Sequence, residues 1–348
     1  VESIINDSFS GFSYHPFWDN DTLKIKEFIE SHERIENVDY IIGSGHHTNS
    51  HLWQYNGYLH QLPFTYYTQD STLDFPPGYE NGYNSRFSRK IGLECMSCHN
   101  SYPDIVLGSE NKYTSIPEGI DCERCHGPGE EHVNRMMAGE VVDTSKYIDY
   151  SIVNPSRLPL DKQFQICMRC HLQGNTVLAE GKSFYDFKPS MDLSDVLSVF
   201  LPRYENDNSF IMASHVDRLK QSACFNQSEM SCVSCHDPHH SVRNTNIDFF
   251  NNKCSSCHSF CEEKPKINTD CVSCHMPKSS SSDIPHVTIT DHKIGIHIKD
   301  SINNKKGEFL GLFSINNNNP DDRTMALAYL YQYEKFDAKK YLLDSAEN

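Results

Sequence analysis

The chain has 348 residues, 37% of them hydrophobic, and carries 47 acidic against 31 basic side chains for a formal charge of -16. That acidic balance, with no basic stripe, excludes nucleic acid as a partner, and no run of about 18 apolar residues is present to form a transmembrane segment. A mean hydropathy of -0.59 is thin for a core of this size, so another source of apolar surface is expected.

Residues 1–94 read as mixed loop and short strand, with strand candidates at 38–42 and 62–67. This stretch holds His15, His32, His46, His47, His51 and His60. His32, among charged residues, is expected on a helix and in solvent.

From residue 95 the cysteines set the pattern. Twelve of the fourteen fall into Cys95-Met-Ser-Cys98-His99, Cys122-Glu-Arg-Cys125-His126, Cys167-Met-Arg-Cys170-His171, Cys232-Val-Ser-Cys235-His236, Cys254-Ser-Ser-Cys257-His258 and Cys271-Val-Ser-Cys274-His275. Cys-x-x-Cys-His is the attachment signature of c-type haem. Two thiols three positions apart reach the two porphyrin vinyl groups from one helical turn, and the next residue places an imidazole under the iron. Zinc needs four ligands and would not demand a histidine after every second cysteine, and a disulfide framework would not repeat one local spacing six times. Six covalent haems c are therefore expected, and they would supply the missing apolar core.

Residues 176–223 form a spacer without a motif, expected to be helical over 193–201 and near 215–219. The last three motifs crowd into 224–278 and must pack closely. Residues 279–282 and 316–319 look like loops. Residues 322–346 have a helical pattern, with Asn319 or Asp321 as cap and Pro320 suited to the first turn. The two leftover cysteines, Cys224 and Cys261, are expected to form a disulfide in an oxidising compartment.

Beyond the six motif histidines, thirteen remain, enough to give every iron a second imidazole. His132 follows the Gly127-Pro-Gly129 turn. His239 and His240 follow Asp237-Pro238. His215 lies in the spacer, and His286 and His292 flank an extended segment at 287–290. His132, His215, His239 and His292 are the leading distal ligands, with His47 and His51 next and His286 behind them. His46 and His47, if extended, point oppositely, so at most one serves a given haem.

The run Gly119-Ile-Asp-Cys-Glu-Arg-Cys-His-Gly-Pro-Gly129 with His132 resembles the nitrifier tetrahaem cytochrome c family. The flanks are similar to multihaem cytochromes fused to tetratricopeptide repeats: Ile42-Gly-Ser-Gly45, Gln61-Leu-Pro63, Pro77-Gly-Tyr79, Val153-Asn-Pro155, Cys170-His-Leu-Gln-Gly174, Cys232 to His239 and Cys271 to Lys278. Ala328-Tyr329 and Phe336-Asp-Ala338 resemble one helical hairpin of such a repeat, which either docks on the body or starts an array. The resemblance covers roughly residues 40–295. It implies a mostly irregular fold with short α-helices and few short strands, wound round a haem stack as core, with mainly bis-His ligation. Such proteins often carry a further motif upstream of the position at which this chain starts.

The expected organisation is thus a haem-free region 1–94 that supplies distal histidines, a hexahaem body 95–300 and a helical hairpin 320–348. Haem c attachment takes place outside the cytoplasm, so a signal is expected to have been removed before Val1 and the location to be periplasmic or cell-surface. The leading function is electron transfer to other redox proteins. One alternative is a subunit that joins like subunits head to tail into an extracellular filament. Another is a reductase of a small nitrogen or sulfur oxyanion at a five-coordinate haem, although no Cys-x-x-Cys-Lys motif is present.

Overall fold

The computed structural model describes residues 3–205, 211–258, 270–296 and 307–347. They divide into two compact units, Val1–Asp121 with Ser280–Thr288 and Cys122–Ser279 with Ile289–Asn348. The first motif therefore belongs to the first unit and the other five to the second.

The first unit is built on β-sheet, which corrects the expectation of loop and few short strands. Strands β1 (Ile5–Asn6), β2 (Ser13–Asp19), β3 (Thr22–Ile29) and β4 (His32–Asn37) pair antiparallel in sequence order. Strands β5 (Tyr40–Ile42), β6 (Thr48–Tyr55), β7 (Tyr58–Tyr67) and β8 (Thr72–Asp74) make a second antiparallel sheet, with β9 (Arg89–Lys90) on β7. His32 opens β4 rather than sitting on a helix. Alternation drives this: Tyr14 and Ile25 are fully buried while His15, Lys24 and Lys26 face outward. Ile5, Tyr14, Ile25, Leu62, Phe64 and Phe87 form one apolar cluster between the sheets. Buried Glu27 interrupts the inner face, and Arg86 Nε meets its carboxylate at 2.8 Å. A second cluster, Leu52, Leu59, Ile91, Met96 and Tyr113, seats helix α1 (Leu93–His99) against this unit. The short strands β10 (Asp104–Ile105) and β11 (Tyr113–Ser115) follow it.

The second unit is helical around a small sheet. Helices α2 (Glu123–His126), α3 (Glu130–Met137) and α4 (Leu160–His171) precede strands β12 (Asn175–Leu178) and β13 (Leu197–Tyr204). Then come α5 (His215–Lys220), α6 (Ala223–Asn226), α7 (Ile247–Ser255), α8 (Cys271–His275), the strands β14 (Lys278–Ser280) and β15 (Thr288–Thr290), whose residues Ser280 and Thr288 are counted with the first unit, and β16 (Phe309–Ser314). Residues 193–201, expected to be helical, are a 3₁₀ turn at Leu193–Asp195 followed by β13. The reason is central placement: β13 lies between β12 and β16, so Leu197 to Leu201 are buried on both faces and show no alternation. The helix at 215–220 agrees with expectation. Helix α4 packs Phe164, Ile166 and Met168 against Phe187, Val196, Val199 and Leu219.

The C-terminal hairpin is present as α9 (Asp322–Lys335) and α10 (Lys340–Glu347), and Asp321 is the cap, accepting from Thr324 N at 2.8 Å. It docks: fully buried Ala328 packs with Val177, Phe200 and Leu312 on the β12–β13–β16 sheet. Asn175 Nδ2 donates to the Ala328 carbonyl at 2.6 Å. The asparagine run before it is an ordered latch, with Asn316 Oδ1 accepting from Val199 N at 2.8 Å and Asn316 Nδ2 donating to Leu197 O at 2.8 Å.

Candidate haem-binding sites

Each motif starts on or closes a helical turn, which is what sets its two thiols and imidazole side by side. In the second, fourth and fifth motifs the histidine amide donates to the carbonyl of the first cysteine, each at 2.9 Å: His126 to Cys122, His236 to Cys232 and His258 to Cys254. The first motif ends α1 and the third ends the twelve-residue α4. The sixth opens α8, started by the Asp270 carboxylate, which accepts from Val272 N at 3.0 Å and Ser273 N at 3.2 Å.

Burial pushes the thiols of Cys125 and Cys235 up and that of Cys254 up to about 11. Left as thiols they would be inert; as thioethers they would add apolar surface carrying no charge. The cysteines of successive motifs are neighbours. Cys125 lies close enough to Cys167 and Cys170 to feel their charge, Cys167 and Cys232 are hydrogen-bonded, and Cys254 bonds to Cys271 and also senses Cys235. The second to sixth motifs thus follow one another in space as in sequence.

Two proximal imidazoles are oriented by backbone. His126 Nδ1 donates to Val153 O at 2.8 Å and His275 Nδ1 to Gly295 O at 3.0 Å. Fixing Nδ1 in this way presents Nε2 as the metal-binding atom. Val153 and Gly295 carry no side-chain chemistry, so no sequence signal identifies them as acceptors.

The histidines singled out as second ligands converge on motif histidines in three places. The His171 and His215 ring centroids lie 5.3 Å apart with planes at 83°. His236 and His292 are 6.2 Å apart at 28°, and His126 and His239 are 6.1 Å apart at 20°. Two imidazoles on opposite sides of one iron, with metal–nitrogen bonds of about 2 Å, hold their centroids about 6 Å apart. The His236–His292 and His126–His239 separations are close to that figure, and the His171–His215 separation is shorter. Burial pushes His292 down to about 4 and lowers His236, which keeps both imidazoles neutral, the form that binds a metal.

The other candidates stand apart from these pairs. His132, on α3, is reached through Gly127, whose φ of +78° lets the chain leave α2 in a turn. Its Nδ1 is 3.0 Å from Asp149 Oδ2 and 3.1 Å from Ser151 Oγ. His51 is buried on Phe64, centroids 4.0 Å apart, and burial pushes it down to about 4. His46 and His47 do not point oppositely: the chain bends there and their rings stack 5.3 Å apart. His47 Nδ1 is 3.0 Å from Gln69 Nε2. His286 has Asp70 on Nδ1 and Asp74 on Nε2, both at 3.0 Å, which leaves neither nitrogen for iron. Exposed His240 is tied to Asp237 at 2.7 Å. Cys261, the expected partner of Cys224, lies outside the described residues.

Comparison with known proteins gives one family profile, cytochrome c554 and c-prime, matching residues 79–127. The chain is 25% identical over 220 residues to the multiheme cytochrome MtrA of Shewanella baltica (strain OS185), covering 59% of each protein, so it spans about three fifths of that relative's length. The crystal structure of the outer cell wall cytochrome OcwA aligns with a TM-score of 0.41 and 13% identity over 72% of this chain and 66% of that one. The profile match takes in the whole of the first two Cys-x-x-Cys-His motifs and the sheet edge before them. Among the described residues no helix is long and apolar enough to cross a membrane. The Cys-x-x-Cys-His motifs and the sequences they match agree: the chain is similar to the multihaem c-type cytochromes.

Proposed function

We propose that the chain carries six haems c, mainly bis-His ligated, and passes electrons along them to other redox proteins outside the cytoplasm. The observation that carries this reading is the pairing of imidazoles. His171 with His215, His236 with His292 and His126 with His239 approach one another in motif–distal pairs near the spacing one iron requires. An iron with two imidazoles is saturated and low spin, suited to electron transfer rather than to binding a substrate. The succession of motif cysteines from Cys125 to Cys271 supports a haem order that follows the sequence through the second unit. Bound haem would supply the redox change. The protein's part is to fix Nε2 orientation through Val153 O and Gly295 O and to keep the ligands buried and neutral.

The experiment is a pyridine haemochrome assay on the purified exported chain together with its EPR spectrum. Six haems per chain, predominantly low spin and indifferent to carbon monoxide and nitrite, are expected. A persistent high-spin fraction that binds nitrite would replace conduction by catalysis at a five-coordinate haem.

A further inference from the structure

We propose that the buried Arg218–Asp291 ion pair is a positioning brace. It locks the segment carrying His292 onto the helix carrying His215, so that each imidazole serves its own iron. The inference rests on the ligand pairing proposed above and goes beyond it, because neither residue is itself a ligand.

The geometry is specific. Arg218 Nε donates to Asp291 Oδ1 at 2.8 Å and Nη2 to Oδ2 at 2.6 Å, with side chains 6% and 8% exposed. Arg218 lies three residues after His215 on α5, on the same side of the helix. Asp291 directly precedes His292. The fork therefore joins the two short segments that present the distal imidazoles, whose rings lie 4.8 Å apart at 79°.

Further bonds extend the brace in both directions. Asp217, the neighbour of Arg218, pairs with Arg203 of β13 at 2.5 and 3.2 Å, fixing α5 to the sheet. Ser222 Oγ donates to His292 O at 3.1 Å, Asp291 N to Pro277 O at 3.1 Å, and Gly295 O accepts from His275 Nδ1 at 3.0 Å. One strap, residues 289–296, thus handles ligands of two motifs, the fourth and the sixth.

A buried ion pair is a weak device for stability alone, because apolar side chains of similar volume do as well. What a bidentate fork adds is a fixed distance and orientation. Four imidazoles, His171, His215, His236 and His292, crowd one region and must be sorted between two irons. A strap free to slide by one residue would offer Asp291 or Lys293 in place of His292.

The test uses the full holoprotein and three variants: Asp291→Asn, Arg218→Lys and His292→Ala. Haem content is checked by pyridine haemochrome, then EPR and carbon monoxide difference spectra are recorded with and without added imidazole. His292→Ala is expected to turn about one sixth of the iron high spin and carbon monoxide-reactive, reversed by imidazole. Asp291→Asn should give the same signature with haem content intact. Arg218→Lys keeps the charge but loses the fork, so a smaller high-spin fraction is expected. If His292→Ala shows the signature while Asp291→Asn and Arg218→Lys remain wholly low spin, the brace is overturned and the ligand pairing survives. If His292→Ala itself stays low spin, the pairing fails. Should Asp291→Asn not accumulate as holoprotein, Arg218→Lys decides, and a wild-type spectrum from it rejects the brace.

Discussion

At the residue scale, His132 and His286 show what a carboxylate neighbour does to an imidazole. Asp149 meets His132 Nδ1 with one oxygen, and Ser151 donates to the other through its amide at 2.9 Å and its hydroxyl at 2.5 Å. These bonds from Ser151 hold Asp149 well below the usual carboxylate range. An anionic partner on Nδ1 makes Nε2 a stronger donor and favours ferric iron. With His132 on iron, Asp149→Ala should raise one midpoint in a redox titration by tens of millivolts, about 59 mV for each tenfold loss of preference for the ferric state. An unchanged titration would remove His132 from the ligand set. His286 instead lies between Asp74 and Asp70, and the Asp74 bond, with Asp70 behind it, raises it above the ordinary histidine value. Its stabilising contribution is therefore full below about pH 6.5 and lost as pH rises through the raised folded value. The site is 31% exposed, so about 0.5 kcal/mol is a suitable scale. Denaturant melts of wild type and His286→Ala should differ at pH 5.5 and converge by pH 9. A gap that widens with pH would contradict the clasp.

At the element scale, the sequence was most readable where chemistry is local and least where tertiary pairing decides. Cys-x-x-Cys-His needs only one helical turn, so all six motifs announce themselves. The capped helix at Asp321 is equally local. The sheets of the first unit were under-read, although Tyr55-Asn56-Gly57-Tyr58 signals a two-residue hairpin and both central residues do take positive φ, +50° and +85°. The outward lysines and inward Glu27 of β3 obscure its alternation, since Glu27 is acceptable inside only because Arg86 arrives from 59 residues away. β13 was misread for the opposite reason, being apolar on both faces. Its neighbour Gly174 gives a test of that packing. A Cβ there would lie 2.7 Å from the Phe200 carbonyl oxygen, 2.8 Å from Val199 Cγ1 and 2.9 Å from Leu201 Cδ2. Backbone on a central strand cannot move aside easily, so Gly174→Ala should destabilise by about 1–3 kcal/mol, the range for overpacking. A melt within about 0.5 kcal/mol of wild type would show that β13 yields.

At the scale of the whole molecule, the proposed electron transfer makes net charge the property to test. The polypeptide carries -16, and each haem adds two propionates, so holoprotein is more acidic than its sequence. Fields of this size attract basic partners over distances set by the Debye length, about 8 Å at physiological salt. Electron exchange with a basic soluble cytochrome should therefore be fast at low salt and slow at least tenfold as ionic strength rises from about 10 to 300 mM. Exchange with an acidic cytochrome should speed up over the same range, because salt relieves repulsion. Stopped-flow mixing of the reduced protein with each partner measures both slopes. Opposite signs would place electron entry on the acidic surface. A rate indifferent to salt for both partners would mean that transfer occurs through a patch where the charges of this chain are locally neutralised, and the electrostatic argument would fail.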